Sequence, residues 1–229
     1  MVFVTGDTHR NFERIEEICM YEDTATDDVI VILGDVGINY YGEPDDWDLK
    51  EGLCEYQATL LCVHGNHEMR PENISSYEEK EWRSGIVYWE PDYPNLLFAK
   101  CGEVYDLDGN RSLVIGGASS VDKHLRTRGL NWWADEQASD EIMARVEERL
   151  AAENWRVDIV LSHTCPYSYM PTDAFLPGIP QEFVDNTMEK WLDRIEKQLD
   201  YRRWYCGHFH TDQSAGDIKF LWHDYVELW

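Results

Sequence analysis

The chain has 229 residues and a formal net charge of −25, because 45 acidic side chains outnumber 20 basic ones. This length suits one α/β domain with a full hydrophobic core, and we expect a single domain over residues 1–229. The acidic balance argues against a general nucleic-acid or anionic-membrane binder, since both need basic surfaces. It leaves open a small anionic substrate whose local field comes from bound metal.

The six cysteines are scattered and form no Cys-x-x-Cys pair, which excludes a zinc ribbon or a thioredoxin-type motif. The chain starts with a short apolar run that leads directly into Gly6 and Asp7, without the regions of a signal peptide. No apolar run approaches the ~20 residues of a membrane span. We therefore expect a cytoplasmic protein with reduced thiols and no membrane partner.

The first part of the chain alternates short apolar runs with helical patterns. Strands are predicted at Val2 to Thr5, at 29–33 and at 58–64. One predicted helix has Asn11 as its N-cap, and another opens at 44–46. Each strand runs into a loop that carries Asp or His. This repeat predicts right-handed βαβ crossovers and a mostly parallel sheet.

The middle of the chain is predicted to contain shorter strands and a short helix. Residues 71–84 are predicted as a charged loop with a short helix, and 86–89 and 95–98 as strands. The Asp108-Gly109-Asn110 turn predicts a hairpin, so we expect mixed pairing in the sheets. A long loop follows from 116 to 133.

The last part of the chain contains two predicted helices. Ile142, Val146 and Leu150 indicate one of about four turns, with Ser139 as its cap, and an amphipathic stripe over 184–199 indicates the other. An irregular stretch is predicted at 165–180. The remaining predicted strands are 157–161, 203–206, 218–221 and 225–228. Together these elements predict an α/β fold with two β-layers and helices outside.

Several predicted strands end in loops with metal-ligand residue types, and ligand sites in α/β sheets form at such strand ends. Carboxylate oxygen and imidazole nitrogen suit divalent Mn, Fe, Ni or Zn. Asp35 is alone on its loop, and one carboxylate can bridge two ions. A two-ion site activates water and holds a phosphoryl group. The residues are Asp7, His9, Asp35, Asn66, His67, His163, His208 and His210.

Five blocks in this order resemble the calcineurin-like metallophosphoesterase superfamily, and loosely its small bacterial or phage-type members. Each block alone is a weak signal, whereas five in order over residues 6–210 are specific. The resemblance implies a two-layered mixed β-sandwich flanked by helices and a dinuclear centre whose bridging hydroxide hydrolyses phosphoric esters. The blocks are Gly6-Asp7-Thr8-His9, Gly34-Asp35-Val36-Gly37, Gly65-Asn66-His67-Glu68, His163 and Gly207-His208-Phe209-His210.

The resemblance also implies a role for each matching residue. His67 corresponds to a catalytic histidine that is no ligand and approaches the leaving-group oxygen. Two divalent ions are implied, and we expect Mn, with Fe, Ni or Zn as alternatives. The second His of the last block is absent from Ser/Thr protein phosphatases, which argues against that branch. The ligands would be Asp7, His9, Asp35 and His210 for metal one, and Asp35, Asn66, His163 and His208 for metal two.

Basic side chains near these blocks are candidates for substrate contact. Arg10 follows His9 at a position where many members of the superfamily have glycine. Lys123, Arg126 and Arg128 form the densest basic cluster of the chain, and solvated surface is the alternative for them. We predict substrate contact for Arg10, Asn66, Arg126 and Arg128. Glu68 is either a residue that orients a ligand or a solvated loop charge.

The expected activity is hydrolysis of phosphomonoesters or phosphodiesters by a phosphatase or phosphodiesterase. A nucleotide monoester, a cyclic or linear diester and a phosphoprotein all remain open as substrates, as does the oligomeric state. A non-catalytic metal-binding scaffold is the alternative from another class, but no ligand position is lost. A nuclease is the third reading, and the net charge of −25 counts against it. We expect a small phosphorylated partner and no nucleic acid.

Overall fold

A computed structural model describes residues 1–42, 44–175 and 184–228. Its first sheet has seven strands in the order β13-β1-β2-β3-β6-β5-β4, and β1, β2, β3 and β6 are parallel neighbours. These strands are β1 (Val2–Thr5), β2 (Val29–Ile32), β3 (Thr59–Cys62), β4 (Glu78–Trp82), β5 (Gly85–Glu90), β6 (Tyr93–Ala99) and β13 (Tyr225–Glu227).

The second sheet has six strands in the order β11-β12-β10-β9-β8-β7, with β8, β9, β10 and β12 parallel. Its strands are β7 (Val104–Leu107), β8 (Asn110–Ile115), β9 (Ile159–Ser162), β10 (Arg203–Cys206), β11 (Gln213–Ala215) and β12 (Ile218–Phe220). The helices are α1 (Glu13–Tyr21), α2 (Asp45–Leu53), α3 (Asp140–Ala152) and α4 (Thr187–Glu196).

The two sheets pack face to face, with helices on their outer faces. Val31 of β2 and Leu161 of β9 belong to the apolar cluster between the sheets. Ile30, the neighbour of Val31, instead joins the cluster with α1 and α2, because successive side chains of a strand point to opposite faces. A third cluster joins the second sheet to α3 and α4. The fold is therefore the expected α/β arrangement of two mixed sheets flanked by helices.

The structure contains the predicted hairpin turn and the predicted cap of α3. The side chain of Ser139 accepts the N–H of Ile142 and caps α3. Asp108 and Gly109 have φ angles of 52° and 80° and connect β7 to β8 as a two-residue hairpin turn. Asn11 is not the N-cap of α1 as predicted, because Phe12 occupies that position; Asn11 lies one residue earlier, and its side chain accepts the N–H of Glu13 at 3.0 Å. These turn and cap interactions involve residues that are close in sequence, so a local sequence pattern is enough to predict them.

The prediction for residues 71–84 is wrong in part. Pro71–Asn73 forms a single 3-10 turn, but Glu78–Trp82 is strand β4. This strand pairs with β5 alone at the edge of the first sheet. A charged edge strand resists pairing with other chains, and its charges hide the alternation that marks a strand. The edge strand β11 was missed as well. Of the predicted irregular stretch 165–180, residues 176–180 lie outside the described part.

Two further expectations concern the whole chain. No helix in the described residues is long and apolar enough to cross a membrane. All six cysteines are free thiols.

Candidate metal centre and active site

The predicted metal ligands meet where parallel strands of both sheets end. Loops after β1, β2 and β3 supply one half of the set, and loops after β9 and β10 supply the other half. The packing of the two sheets therefore assembles the site from five separate segments. The residues are Asp7 and His9 after β1, Asp35 after β2, Asn66 after β3, His163 after β9, and His208 and His210 after β10.

Asp7 is fully buried among these residues. Its Oδ1 accepts a 2.9 Å hydrogen bond from the backbone N–H of His208 in the opposite sheet. Its Oδ2 lies 3.3 Å from Nε2 of His210 and 3.7 Å from Nε2 of His9. This oxygen has no hydrogen-bond partner among the described residues. Such a buried oxygen is costly unless a positive group satisfies it, and a cation beside the two imidazoles does so.

Asp35 has a similar arrangement. Its Oδ1 accepts a 2.8 Å hydrogen bond from the backbone N–H of His67. Its Oδ2 lies 3.9 Å from Nε2 of His9 and 3.6 Å from Nε2 of His163. Asp35 thus lies between imidazoles that the family resemblance assigns to different metal ions.

His163 and Asn66 direct two acceptor atoms at one another. Nδ1 of His163 lies 2.7 Å from the carbonyl oxygen of Leu33, so in the neutral ring Nδ1 donates and Nε2 carries the lone pair. Nε2 faces Oδ1 of Asn66 at 2.8 Å. The Asn66 amide is oriented by Nδ2, which donates to Ser120 at 3.0 Å. Nε2 of His163 and Oδ1 of Asn66 therefore point lone pairs at one another, and each side chain is held by a second hydrogen bond on its other side. A metal ion between them would take both lone pairs as ligands.

The other ligand atoms also lie close together. Nε2 of His9 and Nε2 of His210 are 2.9 Å apart. The ligand atoms of Asp7, His9 and His210 lie within 4.8 Å of one another, as do those of Asp7, Asp35 and His163. Carboxylate and imidazole ligands at such spacing fit borderline divalent cations.

Four of the proposed ligands have a left-handed backbone conformation. His9, Asp35, His208 and His210 have φ angles of 45°, 45°, 65° and 49°. This left-handed conformation costs a non-glycine residue roughly 1–2 kcal/mol. Strain of this kind persists where the surrounding structure imposes it, typically at functional sites.

The glycines that precede the ligands let the loops approach one another. A Cβ atom on Gly207 would lie 2.2 Å from Oδ1 of Asp7, and one on Gly34 would lie 2.1 Å from Nδ1 of His163. Any side chain at either position would displace a proposed ligand. Close approach therefore explains why glycine stands before Asp35 and His208.

The electrostatics favour the metal-binding protonation states of Asp7, Asp35 and His208. Burial opposes ionisation of Asp7 and Asp35, but nearby imidazoles, His163 foremost, outweigh it and lower the pKa of both carboxyls. Burial, followed by repulsion from His163, lowers the pKa of His208 to about 3. At neutral pH the carboxylates are therefore ionised and His208 is a neutral imidazole.

Glu68 is not a solvated loop charge, and its hydrogen bonds among the described residues go to backbone N–H groups. It is fully buried and accepts the backbone N–H of Gly37 at 2.9 Å and of Gly65 at 3.0 Å. Burial, together with Asp35, raises the pKa of Glu68 to about 8. Glu68 therefore ties together the loops that present Asp35 and Asn66.

A cavity of about 650 Å³ opens beside the ligands. His67 and Arg126 both line it, with Nε2 of His67 lying 3.5 Å from Nη2 of Arg126. Asp122, which no sequence pattern marks, holds Arg126 through a 2.6 Å contact to its Nε. Arg126 is thus fixed beside the predicted catalytic histidine with part of its guanidinium facing the cavity.

The other predicted basic side chains are placed differently. Arg10 borders the cavity, but its Nη1 donates to Asp46 and to the carbonyl of Gly37, each at 2.6 Å. Lys123 and Arg128 are not among the described residues that line the cavity. The structure therefore brings Arg10 and Arg126 to the site and leaves Lys123 and Arg128 outside it.

Sequence reasoning gave no role to Trp222, whose ring stacks on His210 with centroids 4.0 Å apart and planes at 23°. Asp212 accepts three successive backbone N–H groups that begin with Trp222, at 2.7, 3.0 and 3.1 Å. Arg14 also donates to the Trp222 carbonyl. The loop thus holds the indole against a proposed ligand. Only the fold brings residue 222 back to the site, so no sequence signal was available.

Comparisons with known proteins agree with this geometry. The family model for calcineurin-like phosphoesterases matches residues 1–212. The chain belongs to the calcineurin-like phosphoesterase family. Members of this family are generally metal-dependent phosphoester hydrolases, so membership supports that general activity here. No curated protein sequence matches the chain.

Solved structures support the fold of this family member. One is 12% identical with a TM-score of 0.56 and covers 96% of this chain and 88% of its own. Another, TT1561 of Thermus thermophilus, is 14% identical with a TM-score of 0.52 and covers 96% of this chain and 87% of its own. Both similarities concern the fold alone.

Proposed function

We propose that this calcineurin-like phosphoesterase hydrolyses phosphoric esters through a dinuclear metal centre, with His67 acting at the leaving group. The observation that carries the proposal is the pair of buried carboxylates, Asp7 and Asp35, each with one oxygen fixed by a backbone N–H and the other directed at imidazoles. Metal one would be held by Asp7, His9, Asp35 and His210. Metal two would be held by Asp35, Asn66, His163 and His208.

Two bound divalent ions would supply an activated water and neutralise charge on the phosphoryl oxygens. The chain provides the rigid frame that this chemistry needs. Asp7 is bonded to the backbone of the opposite sheet, Asp35 to the next loop, and Asn66 to Ser120. The ligands are oxygen and imidazole nitrogen without thiolate, which suits divalent Mn, Fe, Ni or Zn. Of these, Mn is the metal we expect.

His67 is the proposed proton donor to the departing oxygen. Burial lowers its pKa, Asp35 opposes this, and Arg126 lowers the pKa further. Negative charge of a bound phosphoryl group raises the pKa of a neighbouring imidazole. Substrate binding therefore promotes the protonated form of His67 at the position where leaving-group protonation is needed.

Arg126 and Asn66 are the proposed contacts to substrate oxygens. Arg126 is held by Asp122 beside His67, and a guanidinium suits phosphate recognition. Arg10 remains a weaker candidate, since Asp46 and Gly37 already engage its guanidinium. We do not assign substrate contact to Arg128, which lies on the exposed part of the loop.

A non-catalytic scaffold remains the second candidate, because a metal centre alone does not prove turnover. The strained ligand backbone and the placement of Arg126 beside His67 favour an enzyme. A nuclease is disfavoured by the charge of −25. The proposed substrate is a small phosphorylated molecule, and the cytoplasmic location is retained as part of this proposal.

The test is a substrate panel run with added Mn while bound metal is measured in parallel. The panel contains nitrophenyl phosphate, bis(nitrophenyl) phosphate, nucleotides, cyclic nucleotides and a phosphopeptide. We expect metal-dependent turnover of at least one of the two nitrophenyl esters, and loss of that turnover after chelation. Full metal loading without turnover of any ester would contradict the proposal and favour the scaffold.

A further inference from the structure

The side-chain amide of Asn66 has two possible orientations beside His163. In the structure its Oδ1 faces Nε2 of His163 at 2.8 Å, while its Nδ2 donates to Oγ of Ser120 at 3.0 Å. If the amide turned over, Nδ2 would instead donate to the lone pair of Nε2. That hydrogen bond would satisfy both side chains and leave neither atom free for a metal ion. The metal-free site therefore needs a group that holds the amide in its observed orientation.

Ser120 holds this orientation only while its hydroxyl acts as an acceptor. A serine hydroxyl carries one proton to donate and two lone pairs that accept. As an acceptor, Oγ holds Nδ2 of Asn66 and leaves Oδ1 directed at His163. As a donor to Asn66, the same hydroxyl would hold Oδ1 and turn Nδ2 toward His163. The direction of a single O–H bond thus sets which atom of Asn66 a metal ion would meet.

Glu136 is a buried acid beside this hydroxyl. Only 3% of the surface of Glu136 and 2% of that of Ser120 are exposed. Burial raises the pKa of Glu136, and the hydroxyl and backbone N–H of Ser120, which lie against its carboxylate, act in the opposite direction. Its Oε2 has no hydrogen-bond partner among the described residues, so the carboxylate has room for a donor.

The backbone also fixes Glu136 close to Ser120. Both residues belong to the long loop after β8, and the N–H of Ala118 donates to the carbonyl oxygen of Glu136 at 3.2 Å. Gly117 approaches this carbonyl so closely that a Cβ atom there would lie 2.7 Å from the oxygen. The end of the loop is therefore held against the segment that carries Ser120.

We propose that Glu136 is a positioning residue for metal two. Its carboxylate accepts the proton of the Ser120 hydroxyl, so that Oγ accepts from Nδ2 of Asn66 and Oδ1 stays directed at the metal. This inference rests on the proposed function, since it takes Asn66 as a ligand of metal two. Glu136 acts through two successive hydrogen bonds and touches neither metal nor substrate.

The experiment titrates metal-free protein with Mn by calorimetry and compares the two binding sites. Ser120→Ala removes the acceptor for Asn66, and Glu136→Ala removes the acceptor for the Ser120 hydroxyl. We expect each substitution to raise the dissociation constant of metal two about tenfold or more, as loss of a ligand's hydrogen-bond partner typically does. Metal one should bind with unchanged affinity, because Asn66 is not among its ligands.

Activity supplies a second measurement on the same variants. The Mn concentration for half-maximal nitrophenyl ester hydrolysis should rise by the same factor as the dissociation constant of metal two. The maximal rate should recover at excess Mn, since a bound ion itself holds Oδ1 of Asn66 in place. A rate that excess Mn does not restore would contradict a role confined to positioning.

Two neighbouring residues provide matched controls. Ser119→Ala removes a loop hydroxyl that accepts from Nζ of Lys123 at 3.3 Å. Asp135→Ala removes an acid whose Oδ2 accepts from Asn73 at 2.6 Å. Neither substitution should change the affinity for metal two, because neither side chain holds Asn66 or Ser120. A loss in these controls as large as that in Ser120→Ala and Glu136→Ala would overturn the inference.

The outcomes separate this inference from the proposed function. A lack of metal binding by the unmodified chain would refute the proposed function and the inference with it. Two bound ions and metal-dependent hydrolysis in the unmodified chain, with unchanged affinity for metal two in folded Ser120→Ala or Glu136→Ala, would refute the inference alone. Equal weakening of both sites would indicate a general loss of structure and would refute it as well.

Discussion

The two ends of the candidate active-site cavity are built in different ways. At the metal end, side chains stand directly after buried parallel strands, and backbone N–H groups from neighbouring loops hold Asp7 and Asp35. At the outer end, the walls come from the long loop after β8, the segment before residue 176 and α4. Rigid strand ends suit the ligands that must be positioned closely, whereas loops suit the selection of a substrate. Changes at the metal end should therefore alter the reaction, and changes at the outer end should alter binding.

The largest effect is expected from Asp35→Asn. Asp35 lies between His9 and His163, so its loss removes a ligand from both ions. We expect kcat/KM to fall by about 10³-fold, the equivalent of several kcal/mol, and bound metal to fall as well. Near-normal activity and metal content in folded Asp35→Asn would show that Asp35 is not the bridge.

His67→Ala should affect turnover without affecting metal binding. His67 contributes its backbone N–H to Asp35, and this contact survives the substitution. We expect a loss of roughly 10²-fold on alkyl phosphates, whose leaving groups need a proton, and a much smaller loss on nitrophenyl phosphate. Rates on both ester classes are compared in fully metallated protein. Equal losses on the two classes would exclude the acid role and indicate substrate positioning.

Two arginines of the loop after β8, Arg126 and Arg128, form a matched pair for substitution at the border between the two ends of the cavity. Arg126 lies beside His67, whereas Arg128 is exposed outside the cavity. Arg126→Ala should raise KM about tenfold, because a charge-assisted hydrogen bond to phosphate is lost. Arg128→Ala should leave KM unchanged. A larger rise in KM for Arg128→Ala than for Arg126→Ala would contradict the assignment of substrate contact to Arg126.

The smallest effect is expected from Trp222→Ala. The indole stacks on His210 and restricts the orientation of that ring. Loss of one aromatic contact should weaken metal binding about fivefold, measured by titration calorimetry of the metal-free protein. Trp222→Phe retains a stacking ring and should restore most of the affinity. If Phe and Ala at this position weaken metal binding equally, stacking is not the cause.

The residues that converge at the metal end stand out in the sequence, and those of the outer end do not. Asp7, Asp35 and His208 follow apolar runs and glycines in a specific order, so local pattern and family resemblance both identify them. Glu189 and Trp222 reach the cavity only because α4 and the loop before β13 fold back onto it. Their neighbours in space are distant in sequence, and no local pattern marks them.

The elements of the fold also differ in how far the sequence predicts them. Buried strands such as β2 and the hairpin of β7 and β8 follow from apolar runs and turn residues. The edge strand β4 was missed because its sequence is charged and its strand character comes from pairing with β5. Tertiary context decides such segments, and propensity alone does not.

Metal stoichiometry tests the dinuclear centre most directly. Elemental analysis after reconstitution with Mn is compared between the unmodified chain and His163→Ala, which lacks a ligand of metal two alone. We expect about two ions per chain in the unmodified protein and about one in His163→Ala, with the folded state confirmed by circular dichroism. No bound transition metal in the unmodified chain, or a single ion in both proteins, would contradict the dinuclear centre.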